Sequence, residues 1–188
     1  MNFKKSIAFV LACAFFGGIQ FTSPTPVQAQ KAMAEDCTQV VEATWLGSYT
    51  AEATTQGECG LGELVLTVRN QNGDIEFSDT FGPSDLFGFY DIFTFQDMNL
   101  ALTDWVSNYA DESSTAKLPP WPVGAGGPEA GEFPFYVEEG VSQALYEEIR
   151  AQDRPMVCFI QGGESLLCLV QHPETGDLEA LGVQTFPG

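Results

Sequence analysis

Among 188 residues there is one histidine, His172, and 7 lysines and arginines stand against 26 aspartates and glutamates. A single histidine excludes histidine-rich metal centres. It also leaves any Ser-His-Asp arrangement hanging on one residue of an acidic turn beside Pro173, where a solvated surface role is expected. The nucleophile elbow G-x-S-x-G is missing, since "GGESL" at 162–166 does not fit it. No stretch reads G-x-x-x-x-G-K or G-x-G-x-x-G, so no nucleotide fingerprint is present. C-x-x-C is absent as well, which removes both a thioredoxin-like redox motif and the usual zinc spacing. These absences leave no catalytic residue, no metal ligand and no cofactor to assign.

Long apolar runs are equally scarce, and the one that exists opens the chain. Lys4 and Lys5 precede the almost wholly apolar residues 6–21, and Val27-Gln28-Ala29 stands where a signal peptidase cuts. The protein is therefore expected to be secreted or periplasmic, with residues 1–29 removed as a signal peptide. Gly17-Gly18 and Gln20 interrupt the run, which is short for a span of about 20 residues. Val10-Leu11-Ala12-Cys13 has the loose form of a bacterial lipoprotein box, and anchoring at Cys13 is the minor alternative. Only Ser6 to Ala12 would form its apolar stretch. No other segment is long and apolar enough to enter a bilayer, so no membrane insertion is expected after cleavage. The remaining 159 residues, 188 less 29, suit a single domain spanning 30–188.

Cleavage removes Cys13 and leaves an even set: Cys37, Cys59, Cys158 and Cys168. In an exported chain that set reads as two disulfides. With Gly162, Gly163 and Glu164 as a three-residue hairpin loop, Gln161 faces Ser165 and Cys158 faces Cys168. Cross-strand Cβ atoms lie about 4.5–5.5 Å apart, close enough to bridge. A two-residue loop would set Cys158 against Leu167 instead. Cys37 and Cys59 then close the second bridge and tie the mature N-terminus to the next strand.

Loss of Lys4 and Lys5 leaves 5 lysines and arginines against 26 acids, a formal charge of −21. Such a field repels nucleic acid and anionic lipid, and attracts a basic protein, a cationic peptide or divalent cations. Solubility alone is the plainer explanation, and the even spread of charge along the chain favours it. With 15 Phe, 5 Tyr and 3 Trp, the chain is not a disordered acidic segment.

Periodicity points to an α+β fold: one antiparallel sheet of five or six strands with two packed helices, stapled by the disulfides. Trp45, Gly47, Tyr49 and Ala51 fall on one face and Leu46, Ser48, Thr50 and Glu52 on the other, which reads as one half-buried strand. Asn72-Gly73 marks a type I′ hairpin. Its register sets Val68 against Phe77, Leu66 against Asp79 and Leu64 against Phe81, with Asp79 the polar exception at an edge, a bulge or a site. "NQNGD" also offers calcium-loop oxygens, but Ile75 and Phe81 stand where an EF-hand needs Gly and Glu. Residues 84–95 are apolar without a clear period. Met98, Leu102, Trp105 and Tyr109 share a helical face behind a cap at Asp97, and a second helix is expected over 142–152. Ser142 caps it, Val141 and Tyr146 form a hydrophobic staple, and Leu145 and Ile149 make the buried stripe. "MVCFI" and "LLCLV" read as central strands, and residues 178–186 as the last one.

The long loop at 111–134, rich in Pro and Gly, carries the expected contact surface. Pro119, Pro120 and Pro122 stiffen the chain around Trp121, and Phe133, Phe135 and Tyr136 add aromatic area of the kind that makes binding hot spots. Against this stands the alternative that Trp121 folds down to cap the core. The expected function is that of an exported, acidic, non-catalytic binding or accessory domain, inhibitor-like, for a basic protein or peptide. A hydrolase acting on cell-wall or other glycans is the first alternative. It would need a cleft with two carboxylates about 5–10 Å apart, at least one with a raised pKa. A structural component of the envelope is the second.

Overall fold

Short alternating runs build the first of two antiparallel sheets in the computed structural model, which describes residues 35–128 and 131–186. The proposed signal peptide, its cleavage site and Cys13 lie outside these residues. β1 (Gln39–Trp45), β2 (Tyr49–Gln56), β3 (Glu63–Arg69) and β4 (Ile75–Phe81) follow one another across the sheet. Ala51 and Ala53 of β2 and Leu64, Leu66 and Val68 of β3 are wholly buried on one face. The single strand expected over 45–52 is corrected: it is the corner between β1 and β2. Trp45 pairs with Tyr49, and Leu46 and Gly47 take φ of +48° and +70°. Both central residues in the left-handed region are what a tight type I′ corner requires.

The β3–β4 hairpin has the expected register, Val68↔Phe77, Leu66↔Asp79 and Leu64↔Phe81. Its turn differs, because only Gly73 has positive φ. Asn70 Oδ1 accepts the N–H groups of Asn72 and Asp74, which holds a longer loop, and the ladder runs Arg69↔Ile75 before shifting. The unpaired residue, Glu76, is a bulge that returns the apolar set to the core face. Asp79 is exposed on this edge strand, where its Oδ1 accepts the Thr80 N–H at 2.8 Å.

In the second sheet, β5 (Asp111–Ser114), β6 (Phe135–Val137), β7 (Pro155–Ile160), β8 (Ser165–Gln171) and β9 (Leu178–Thr185) lie in the order β5-β7-β8-β9-β6. The fold is α+β, but the expectation of one sheet of five or six strands is corrected to two sheets of four and five among the described residues. β5 and β6 arise inside segments read as loop or left unassigned. They are short and at the edges, and neighbouring strands rather than their own patterns supply the pairing. Cys158 faces Cys168 across the three-residue loop, with the Gln161 N–H donating to Ser165 O. The disulfides join Cys37 to Cys59 and Cys158 to Cys168.

β7 and β8 are buried on both faces. Val157, Phe159, Leu167 and Leu169 meet the first sheet, while Met156, Cys158, Cys168 and Val170 point the other way. α1 (Phe95–Thr103) and a π segment (Asp104–Asn108) add Met98, Leu102, Trp105 and Val106 to the inter-sheet core. The cap is Thr94, whose Oγ1 accepts from Asp97 N–H and donates to the Asp97 carboxylate, so the cap expected at Asp97 moves three residues. The Tyr109 N–H bonds back five residues to Asp104 O, and this rotates Tyr109 off the buried face, where it was expected, leaving it 42% exposed.

α2 (Gln143–Ala151) covers the second face of β7 and β8, capped by Ser142 as expected. Its buried residues are Tyr146 and Ile149, while Leu145 turns outward, correcting the expected stripe by one position. Tyr146 bonds Pro119 O, and that anchor sets which side of the helix faces in.

Two outcomes test this frame. The chain-entropy estimate for the 22-residue separation of Cys37–Cys59 is about 3.4 kcal/mol, and for the 10-residue separation of Cys158–Cys168 about 2.7 kcal/mol. Paired Cys→Ser variants should lose stability in that order in urea titrations, and unreduced peptide maps should show both links and no free thiol. Trp105→Phe keeps a ring but leaves Ile160 O without its donor, and should cost at least about 1–3 kcal/mol in the same assay.

Candidate functional site

Proline stiffens the segment after β5, but α2 decides where its tryptophan goes. The Trp121 N–H donates to Glu147 Oε1 at 2.6 Å, its carbonyl accepts from Gln143 Nε2 at 2.7 Å, and its indole N–H reaches Ala125 O at 2.9 Å. The ring meets Tyr146 edge-on, centroids 5.8 Å apart, and is half-buried. Phe135 is 4% exposed and also packs on Tyr146, centroids 6.1 Å apart. Of the four aromatics expected to form a contact surface, Phe133 and Tyr136 keep a free face, 48% and 60% exposed. Phe133 lines an open apolar cleft of about 470 Å³ with Leu166, Gln184 and Phe186.

A second group of exposed rings lies in residues 84–95, which carried no assignment in the sequence. Leu86, Phe89 and Ile92 are buried, at 0, 2 and 8% exposure, while Phe87, Tyr90 and Phe93 are exposed at 43, 54 and 71%. Spacing of three on both sides puts one row in the core and the other in solvent. Neither the helical nor the strand period detects it. The segment is tied down: Phe89 meets Trp105 edge-on at 5.4 Å, the Phe87 N–H donates to Gly162 O, and Cys37 Sγ lies 3.4 Å from Thr94 O. A Cβ at Gly60 would stand 2.7 Å from Ile92 O and one at Gly163 3.1 Å from the Tyr90 hydroxyl, so both glycines admit the loop's close approach.

The sequence does carry one signal for this surface. From Asn70 to Ala116 there is no lysine or arginine, against nine acids and nine aromatics. Asp85, just before the first ring, and Asp91, between Tyr90 and Phe93, are exposed, Asp91 with φ +59°. Three of the four cations among the described residues, Lys117, Arg150 and Arg154, belong instead to the 3₁₀ turn Thr115–Lys117, to α2 and to the turn after α2.

Two further clefts among the described residues are small or polar. About 180 Å³ lies over the Cys158–Cys168 bridge, with Asp111 as its only carboxylate, and about 320 Å³ lies between Tyr49, Asn70, Gln171 and Thr175 with none. In the latter the Tyr49 hydroxyl bonds Gly176 O and accepts from Gln171 Nε2, and burial raises its pKa. The carboxylates with a resolved shift, Asp36 and Glu147, both move down: Thr38 donates to the first, and the Trp121 N–H to the second. No group of three or more His, Cys, Asp or Glu among the described residues is arranged to hold a metal. His172 is half-buried, and its Nδ1 accepts from the Glu174 and Thr175 N–H groups, which makes it a turn residue. No family model, curated protein or solved structure matches the chain.

The Trp121 N–H, with Arg150 assisting, holds the Glu147 carboxyl below its ordinary 4.5. A depressed folded pKa means that the tie is intact above 4.5 and is lost as pH falls through the folded value. The Trp121 indole proton resonance should therefore move on acidification below 4.5, with those of Trp45 and Trp105 unmoved, and Glu147→Gln should abolish the titration. Trp121→Ala should lower stability by about 2 kcal/mol, less than a full core truncation because the ring is half-buried.

Proposed function

We propose that this protein is an exported, non-catalytic binding or accessory domain whose partner is a basic protein or peptide. The observation that carries the proposal is the combination, in residues 84–95, of exposed aromatic rings with exposed carboxylates and no cation. Scattered acids serve solubility, but three large rings left in water on a tethered loop work against solubility and add nothing to the core. Rigid aromatic area set in an attractive field is what a binding surface for a cationic partner needs.

Two disulfides, and no helix long and apolar enough to cross a membrane among the described residues, are consistent with an extracytoplasmic protein. Secretion or periplasmic residence through the 1–29 leader is part of the proposal, as is a single domain over 30–188. A paired-carboxylate hydrolase has less support, because the three clefts described above hold one carboxylate among them.

The test is an affinity capture from envelope extract with residues 30–188, disulfides formed, as bait, followed by kinetics on the purified partner. Exposed charges are screened over about 10 Å at 0.1 M ionic strength, so affinity should fall steeply as salt rises, with the association rate falling most. A partner whose affinity is flat from low to high salt overturns the proposal.

A further inference from the structure

We infer that the ridge at residues 85–93 is the docking surface, and that it takes an extended arginine-bearing segment; this rests on the basic-partner function proposed above. Phe87, Tyr90 and Phe93 recur every third residue with their neighbours Leu86, Phe89 and Ile92 sunk in the core, so the outer row is held without a partner's help. Phe87 is further supported by Tyr109, edge-on at 5.9 Å. Little ordering entropy remains to be lost on binding.

Charge complementarity names the occupant. Asp85 precedes the first ring and Asp91 stands between Tyr90 and Phe93, both exposed, and no cation occurs in residues 70–116 to compete for them. An anionic surface studded with Phe and Tyr faces suits a cation that also stacks. Guanidinium does both, being planar, weakly hydrated and always charged, whereas the ammonium of lysine is a compact, strongly hydrated point charge. An extended chain suits a row of rings better than a folded face does. Of the four cations among the described residues, Arg69 ends β3 and donates to Gly73 O in the β3–β4 turn. Lys117, Arg150 and Arg154 sit with α2, on the far side of the second sheet from the inter-sheet core into which Leu86, Phe89 and Ile92 sink. The arriving cations therefore meet attraction on the ridge side.

The probes are fluorescein-labelled nona-arginine and nona-lysine, measured by anisotropy against residues 30–188 at low salt. Equal charge removes net charge as the cause of any difference between the pair, and the triple substitution below isolates stacking. The wild type should prefer nona-arginine by about tenfold, the product of three modest exposed stacks. Phe87→Ala/Tyr90→Ala/Phe93→Ala should erase the preference while still binding both peptides. Asp85→Asn/Asp91→Asn should weaken both peptides alike and keep it. Equal wild-type affinities, or a preference that survives the triple substitution, overturn the docking surface and leave the basic-partner function standing. A salt-flat natural partner removes that function itself. Ring-dependent binding to phosphatidylcholine vesicles would make the ridge a membrane contact and overturns the inference. Should the triple variant melt early, amide shifts of the wild type with nona-arginine decide: changes centred on 85–93 and 109 support the ridge, and changes centred elsewhere overturn it.

Discussion

Two indole N–H groups are buried at the centre of this fold, and each must find an acceptor or forfeit about 1–3 kcal/mol. Trp45 donates to Val106 O at 2.7 Å, and Trp105 donates to Ile160 O at 2.8 Å. The two bonds run from the β1–β2 corner to the π segment, and from the π segment to the end of β7. One pair of side chains thus ties both sheets to the helical segment packed between them. The widened turn matters here. A carbonyl near a helix end lacks an intrahelical donor, and Val106 O is available to Trp45 because the chain leaves the helix at Tyr109. Trp105 also holds Phe81 and Phe89 edge-on, at 5.5 and 5.4 Å, so the ridge loop hangs from the same residue.

From that centre the second sheet works as a shared wall. Strands buried on both faces need an apolar partner on each side: the first sheet serves one, and α2 with the Trp121 segment serves the other. The Cys158–Cys168 bridge lies on the α2 side, where the cover is a single short helix and a loop. The Cys37–Cys59 bridge belongs instead to the inter-sheet core, against Thr94 at the start of α1. Sheet edges are also managed. Gln39 of β1 bonds Phe95 O and Asn99, which brings α1 along that edge, and Asp79 occupies the Thr80 N–H on the edge at β4.

What could be read from the sequence was local and short-range. The hairpin loop that sets Cys158 opposite Cys168, the Ser142 cap and the Leu64–Phe81 register follow from rules acting over a few residues, and the structure contains all three. The turn at Asn72-Gly73 shows why even a correct register hides its cause. Asn70's side chain competes for the backbone donors, and the bulge at Glu76 then compensates. β5 was not legible because "DESS" has no pattern of its own and becomes a strand only by pairing with β7. Leu145 and Tyr109 were assigned to buried faces by a 3.6-residue period, and the Tyr146–Pro119 bond and the π turn rotated those faces. The ridge escaped for the same reason, since a period of three in a turn-rich segment belongs to neither regular element.

The placement of charge and rings separates what attracts from what selects. Each carboxylate on this chain contributes to a field that any cation feels, so the field alone raises encounter rates and discriminates little. Discrimination requires groups that act at contact distance and are already in place. Residues 85–93 have that property because the core grips every third residue and leaves the next one in water. The Trp121 segment does not, because three hydrogen bonds and Tyr146 turn its ring towards α2. Proline and aromatic content therefore located stiffness correctly but not exposure, and exposure distinguishes an aromatic that binds a partner from one that closes the core.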